Sequence, residues 1–195
     1  MKKLRSLLLC SLAAIAANSS ATVLDFESAG FGSVSNGYGG LNWQNVSLLP
    51  ISTCSASGYC NSAVSGNWVT FNNLGMTAEI TGNAFDFVGS FFTAVNFDTL
   101  DISIEGFLGG VSKYNQKVVA NNNGPQWFEF NFMNVDQLII NTSHGTTTGQ
   151  LSQFSMDNFT YNATPSITSV SEPASLALLG LGLAGLGFSR KRKNA

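Results

Sequence analysis

The sequence predicts an all-β body, a jelly-roll-like β-sandwich, flanked by an N-terminal signal peptide and a short C-terminal hydrophobic sorting helix. Leu100, Ile102 and Ile104 alternate with Asp101, Ser103 and Glu105, and Phe128, Phe130 and Phe132 alternate with Glu129 and Asn131, the two-residue period of half-buried strands. Turn-forming groups punctuate the chain at short intervals, among them Gly109-Gly110, the Asn121 to Pro125 run and Ser143-His144-Gly145; Gly106 reads the same way. No part of the body carries a sustained helical stripe.

At the N-terminus Lys2, Lys3 and Arg5 precede an apolar stretch over residues 7–17, and small residues at Ser19 and Ala21 suit a signal peptidase. Residues 1–21 are therefore expected to be a signal peptide, with the mature chain starting near Thr22. The apolar stretch is well short of the roughly 20 residues that cross a bilayer. Cys10 follows Leu8-Leu9 instead of a small residue, so it reads as a thiol in a discarded leader.

The β domain is expected over residues 22–162. Besides the two alternating runs, strands are predicted at residues 23–26, 41–46, 68–71, 85–87, 91–97, 117–120, 138–141 and 154–161. Nine or ten short strands need a second sheet or closure into a barrel to bury Phe85, Phe91, Phe128, Phe130 and Phe132. Residues 163–170, with Pro165 among Ser and Thr, read as a spacer.

Charge narrows the partners. Lys113 and Lys117 are the only strong cations of the body, set against ten carboxylates, so the body is acidic at about −8 although the whole chain is near −2. Nucleic acid is excluded as a partner, because no basic surface can be assembled to neutralise phosphate. Cys54 and Cys60 enclose a Ser/Gly-rich loop and, in an exported protein, are expected to pair as a disulfide. The spacing lacks the C-x-x-C of redox catalysis, and the single His144 is too distant to complete a zinc shell.

The C-terminal end, residues 171–195, is the most specific segment. Ser171-Glu172-Pro173-Ala174 opens an apolar run of leucines and glycines that reaches Phe188 and ends in Arg190-Lys191-Arg192-Lys193. As a helix its 15 apolar positions would reach about 22 Å, less than the roughly 30 Å of a hydrocarbon core. Its four glycines also make a poor isolated helix, which suits temporary docking better than durable spanning. The terminal cations should stay on the cytoplasmic side and leave the body facing outward.

These residues resemble the PEP-CTERM sorting tail of Gram-negative bacteria. Glu172-Pro173, the Gly/Leu run and the cluster Arg190, Lys191, Arg192 and Lys193 match it, and Ser171 stands where the first proline is usual. The resemblance implies recognition and cutting near Glu172-Pro173 by an exosortase, a membrane-embedded transpeptidase-like enzyme. It also implies transient inner-membrane anchoring, followed by a place on the cell surface or in the extracellular matrix. The body resembles secreted domains found ahead of such tails, and carbohydrate-binding jelly rolls, through Leu24-Asp25-Phe26-Glu27, residues 38–43, Ala84-Phe85-Asp86-Phe87, residues 91–94 and Met156-Asp157-Asn158-Phe159.

Candidate sites follow, each beside a plainer reading. Asp25 and Glu27 would face one side of a strand, and with Asp157 they could offer hard oxygens to Ca²⁺. The plainer reading is turn-capping or solvent-facing carboxylates. In the jelly rolls that the body resembles, a structural calcium ties the first and last strands. Trp127, Trp43 and Tyr38 are candidates to cover the apolar face of a pyranose, with core or loop packing as the alternative. Trp127 should point away from the Phe128/Phe130/Phe132 face. Asp101 and Glu105 stand roughly 13 Å apart along a strand, too far for an inverting glycosidase pair, and read as a solvated face. His144, near Asp136, lacks any nucleophile elbow and reads as a polar turn residue. The expectation is an exported, non-enzymatic envelope or exopolysaccharide-matrix protein that contacts polysaccharide. The competing class is a secreted glycan-degrading hydrolase, which would need carboxylates converging in a cleft.

Overall fold

The computed structural model describes residues 21–54, 57–146 and 151–163. The expected leader, most of the spacer and the sorting segment lie outside the described residues. Ten strands follow in chain order: β1 (Thr22–Leu24), β2 (Gly32–Ser33), β3 (Asn42–Gln44), β4 (Val46–Pro50), β5 (Trp68–Asn72), β6 (Ala78–Ala94), β7 (Thr99–Leu108), β8 (Val111–Asn121), β9 (Gln126–Ser143) and β10 (Phe154–Ala163). Among the described residues the only helical pieces are short 3₁₀ turns. The domain is all-β.

Every pairing is antiparallel, and the hydrogen-bonded path runs β2-β4-β5-β10-β6-β9-β7-β8, with β1 on β10 and β3 on β6. The long strands β6 and β9 organise it. Their register shifts between Thr81 and Phe85, again before Phe87 and again before Gly89, while Asn131 and Asn134 on β9 take left-handed backbone angles. Below these bulges the first half of β6 pairs with β3 and with the end of β9; above them its second half pairs with β10 and with the start of β9. Bulges bend strands in this way. The result is two leaves, an arrangement consistent with a β-sandwich.

The core lies between them. Ile80, Ile102, Ile104, Leu138 and Ile140 come from the β6–β9–β7 leaf, and Phe92, Phe154 and Phe159 come from the other; all belong to one buried cluster. Phe87 stacks on Phe130 at 5.2 Å and on Phe159 at 4.8 Å, which ties β6, β9 and β10 together at the bend. Each fully buried Phe or Ile contributes about 1.5–3 kcal/mol relative to exposure.

The structure differs from the sequence expectations in several respects: Phe91 and Phe128 are half-buried, and the strand predicted at 41–46 is divided between β3 and β4. The strands predicted at 85–87 and 91–97 are one strand, β6, and those at 128–132 and 138–141 are one strand, β9, because Asn131 and Asn134 are absorbed as bulges instead of turning the chain. Gly106 does not end a strand. It lies inside β7, where a Cβ would approach Phe132 to 2.9 Å. Asp25 and Glu27 do not share a strand face, since β1 ends at Leu24 and Phe26 has φ of 60°. The Cys54–Cys60 disulfide is present, with Cα atoms 5.5 Å apart.

Candidate functional site

Alternation along β7 buries Leu100, Ile102 and Ile104, so Asp101 and Ser103 face outward. Register then decides what stands beside them. Asp101 lies opposite Ser143, and Ser103 lies opposite Asn141 on one side and Lys117 on the other. Lys117 Nζ pairs with Asp101 Oδ2 at 2.8 Å. The loop before β6 and Asn45 close the far side: Thr77 Oγ1 donates to Asn141 Oδ1 at 2.5 Å, and Asn45 Nδ2 donates to Thr77 O at 2.8 Å. Together these residues line an open groove of about 710 Å³, formed by amides, hydroxyls and one ion pair.

Behind the groove stands Asn72, fully buried at the end of β5. Its Nδ2 faces Met76 O, Thr142 Oγ1 and Ser152 O at 3.2–3.3 Å, and its Oδ1 accepts from Phe154 N–H at 2.8 Å. One side chain thus joins the loop at Met76, the end of β9 and the start of β10, two of which form the groove wall.

The same leaf carries a second hollow of about 440 Å³ beside β3 and the first half of β6, lined by Asn36, Asn42, Trp43, Gln44, Glu79 and Thr81. Gln137 Nε2 donates to Glu79 Oε1 at 2.6 Å. Glu79, Asn141, Ser103 and Asp101 occupy outward positions of adjacent strands, with Ile139 opposite Glu79 and the exposed Val119 opposite Asp101, so the face from β3 to β8 is mixed, polar with apolar gaps.

The aromatic candidates are dispersed. Trp43 is 6% exposed, set edge-on to Phe26 and Phe159 at 5.6 and 5.4 Å, and its indole N–H donates to Tyr38 O at 2.9 Å. Tyr38 stacks on Phe26 and packs against the core. Trp127 is 40% exposed, points away from the buried Phe130 and Phe132 as expected, and rests on Phe91 at 5.2 Å. Gly89 lies directly beneath it; a Cβ there would come within 2.7 Å of the indole. Of the three, Trp127 is the ring that offers a large area to solvent.

Glu27 and Asp157 converge on one loop. Asp157 Oδ2 accepts from the N–H groups of Val64 and Ser65 at 2.7 and 3.0 Å, and its Oδ1 accepts from Asn158 N–H at 2.7 Å. Glu27 Oε1 accepts from Asn67 and Trp68 N–H at 3.0 and 2.8 Å. Gly66, with φ of 55°, allows the loop to wrap this closely, since a Cβ would fall 2.1 Å from the Glu27 carboxyl carbon. Burial pushes the Asp157 carboxyl above the usual aspartate range; its three N–H donors pull it back, and the Glu27 charge pushes it up again. Asp25 stands apart, with Oδ1 accepting from Glu27 N–H at 3.2 Å in a tight turn. Among the described residues no group of three His, Cys, Asp or Glu side chains is placed to hold a metal ion.

The remaining titratable candidates have structural partners. Glu105 Oε1 accepts from Ser112 Oγ at 2.5 Å, Asp136 Oδ2 accepts from Gly109 N–H at 2.8 Å, and His144 stacks on Phe97 at 4.2 Å with Nδ1 2.9 Å from Thr99 O. The polar groove was not found from sequence. Asp101 and Ser103 were placed outward by alternation, but the register that adds Asn141 and Lys117, and the loop that adds Asn45 and Thr77, carry no local signal.

Residues 169–193 match the PEP-CTERM protein-sorting motif. No curated protein is significantly similar to the chain. Solved structures that the chain matches include TmCBM61 in complex with β-1,4-galactotriose, at 11% identity and a TM-score of 0.37 over 69% of this chain and 100% of that one. The N-terminal CBM22-1–CBM22-2 tandem domain of Paenibacillus barcinonensis Xyn10C matches at 12% identity and a TM-score of 0.43, over 82% of this chain and 50% of that one. The M60 catalytic domain with CBM51-1 and CBM51-2 from Clostridium perfringens ZmpB matches at 13% and 0.39, over 74% of this chain and 15% of that one. At such scores no residue role and no ligand is carried over. The chain carries a PEP-CTERM sorting motif, of the kind linked to exosortase sorting, C-terminal to an all-β body.

Proposed function

We propose that this is an exported, non-enzymatic protein of the cell envelope or exopolysaccharide matrix, whose body holds polysaccharide against the groove over β7, β8 and β9. The observation that carries the proposal is the groove itself: an open trough of amides and hydroxyls beside the exposed Met76, in which Asp101 and Lys117 neutralise each other as one ion pair. Such groups exchange water hydrogen bonds for sugar hydroxyls at little net change, so each contact is weak. Weak contacts repeated along a polymer are enough for retention. Asp101 is the only carboxylate among the residues lining the groove, and its partner is Lys117, which argues against acid–base cleavage of a glycosidic bond there. Trp127, on the other leaf, would add an independent stacking contact.

The proposed route to that place begins with removal of residues 1–21 by signal peptidase. The jelly-roll body, residues 22–162, then faces outward on its spacer, residues 163–170. The tail from residue 171 holds it at the inner membrane of a Gram-negative cell until an exosortase-like enzyme cuts near Glu172-Pro173. Calcium belongs to the proposal in reduced form: Glu27 and Asp157 would supply its carboxylate oxygens, and Asp25, turned to its own backbone, would not. Melting in Ca²⁺ and in chelator tests it, and equal curves dismiss the metal.

Adsorption of the processed protein to exopolysaccharide harvested from the producing cells tests the groove. Substituting Asn141 and Ser103 together by Ala is expected to weaken adsorption while leaving the melting temperature within a few degrees. Undiminished adsorption by that variant would reject the groove, and failure of the unaltered protein to adsorb would reject polysaccharide contact.

A further inference from the structure

We propose that Phe31 and Trp68 form a second sugar contact at one end of the body, apart from the groove, where the apolar face of a single neutral pyranose stacks. The inference rests on the polysaccharide reading above and adds to it a site apart from Trp127, Trp43 and Tyr38. Phe31 is 84% exposed, the highest value among the exposed large apolar residues of the described chain. It stands between Gly30 and Gly32, with φ of 87° and 100°, and a Cβ on either would meet nothing within 4 Å. The turn therefore holds the ring out from the surface, with no packing to require it.

Its one aromatic neighbour is Trp68. The two rings meet edge to face at 6.2 Å and 75°, which makes a corner. Trp68 forms the firm wall: it packs against the core, and its backbone N–H is fixed on Glu27 Oε1 at 2.8 Å. Next to it Asn67 is fixed twice, by its own N–H on Glu27 Oε1 and by Nδ2 on Ser52 Oγ at 3.3 Å. The corner is thus two rings, and the residue before Trp68 in the chain is a fixed Asn.

Size and charge select the occupant. A stable protein interface buries on the order of 1,000 Å² or more, far beyond two rings with polar neighbours. Anionic lipid and nucleic acid are opposed by a body with ten carboxylates and two lysines. A pyranose offers a C–H face of about one ring's area, which matches the two-ring corner of Phe31 and Trp68.

The test compares the unaltered processed protein with Phe31→Ala and Phe31→Trp in adsorption isotherms on exopolysaccharide from the producing cells. Phe31→Ala is expected to weaken adsorption about tenfold without moving the melting temperature, and Phe31→Trp is expected to restore it. If Phe31→Ala adsorbs as strongly as the unaltered protein while the Asn141/Ser103 variant does not, the corner is rejected and the groove stands. A Phe31→Trp variant as weak as Phe31→Ala rejects stacking as well. If the unaltered protein does not adsorb, the corner and the polysaccharide reading fall together.

Discussion

Replacing Asn72 by Ala should be among the most damaging single changes to the body, and its cost can be worked from four contacts. Phe154 N–H, buried at the start of β10, loses Asn72 Oδ1, its acceptor at 2.8 Å, and a buried donor left unpaired costs about 1–3 kcal/mol. The three contacts of Nδ2 at 3.2–3.3 Å are long and are worth less, since Ser152 O still accepts from Thr142 Oγ1. Loss of the amide volume from a site with no exposed area adds a small cavity. The sum is about 3–4 kcal/mol, a third or more of the stability of an ordinary domain, and about 10 °C in melting temperature. Urea denaturation at constant m-value measures it. Because Asn72 also holds Met76 and Thr142, adsorption should fall in the folded variant too. A loss below about 1 kcal/mol would refute the assignment of Asn72 as the joint between groove wall and core.

Other changes probe the clasp and the disulfide. Removing the disulfide with Cys54→Ser and Cys60→Ser opens a loop of sequence separation 6 and should lower stability by about 2 kcal/mol, read as a shift in the urea midpoint. Gly66→Ala should cost at least about 2 kcal/mol, because its Cβ would overlap the Glu27 carboxyl at a left-handed backbone position; a variant of unchanged midpoint would contradict the wrapped loop. Asp157 has its carboxyl pKa raised by burial, so the folded state favours the proton more than the unfolded chain does. Its contribution is fully present below the unfolded value near 4 and is lost as pH rises through the raised folded value. Melting temperature, followed upward from pH 4, should therefore fall more steeply in the unaltered protein than in Asp157→Asn; parallel curves would contradict the burial argument.

Local pattern carried much of the fold and little of the site. The alternation at residues 100–104 identified β7 and its buried face because both faces have clear-cut partners, apolar below and solvent above. The strand at Val46–Pro50 was read only at its first residue, since it is buried almost throughout, Ser47 included, between β2 and β5 and has no in-and-out period to read. The merging of β6 and of β9 depends on bulges at Asn131 and Asn134, where the same residue type that usually marks a turn keeps the strand going in a bent form. Trp127 could be placed by parity alone. Trp43 read as a core or loop anchor from its Gly-rich segment, and it is one; its partners Phe26 and Phe159, distant in sequence, were not legible. The groove depends on register between strands, and Phe31 on a turn that no partner covers; neither leaves a mark on a single stretch of sequence.

Intact-mass analysis of the protein recovered from the exopolysaccharide of producing cells tests the account most directly. A chain that begins near Thr22, ends near Glu172-Pro173 and stays with the polysaccharide through washing is the predicted result. A full-length chain found in the cytoplasm with residues 1–21 and 171–195 still attached would contradict it.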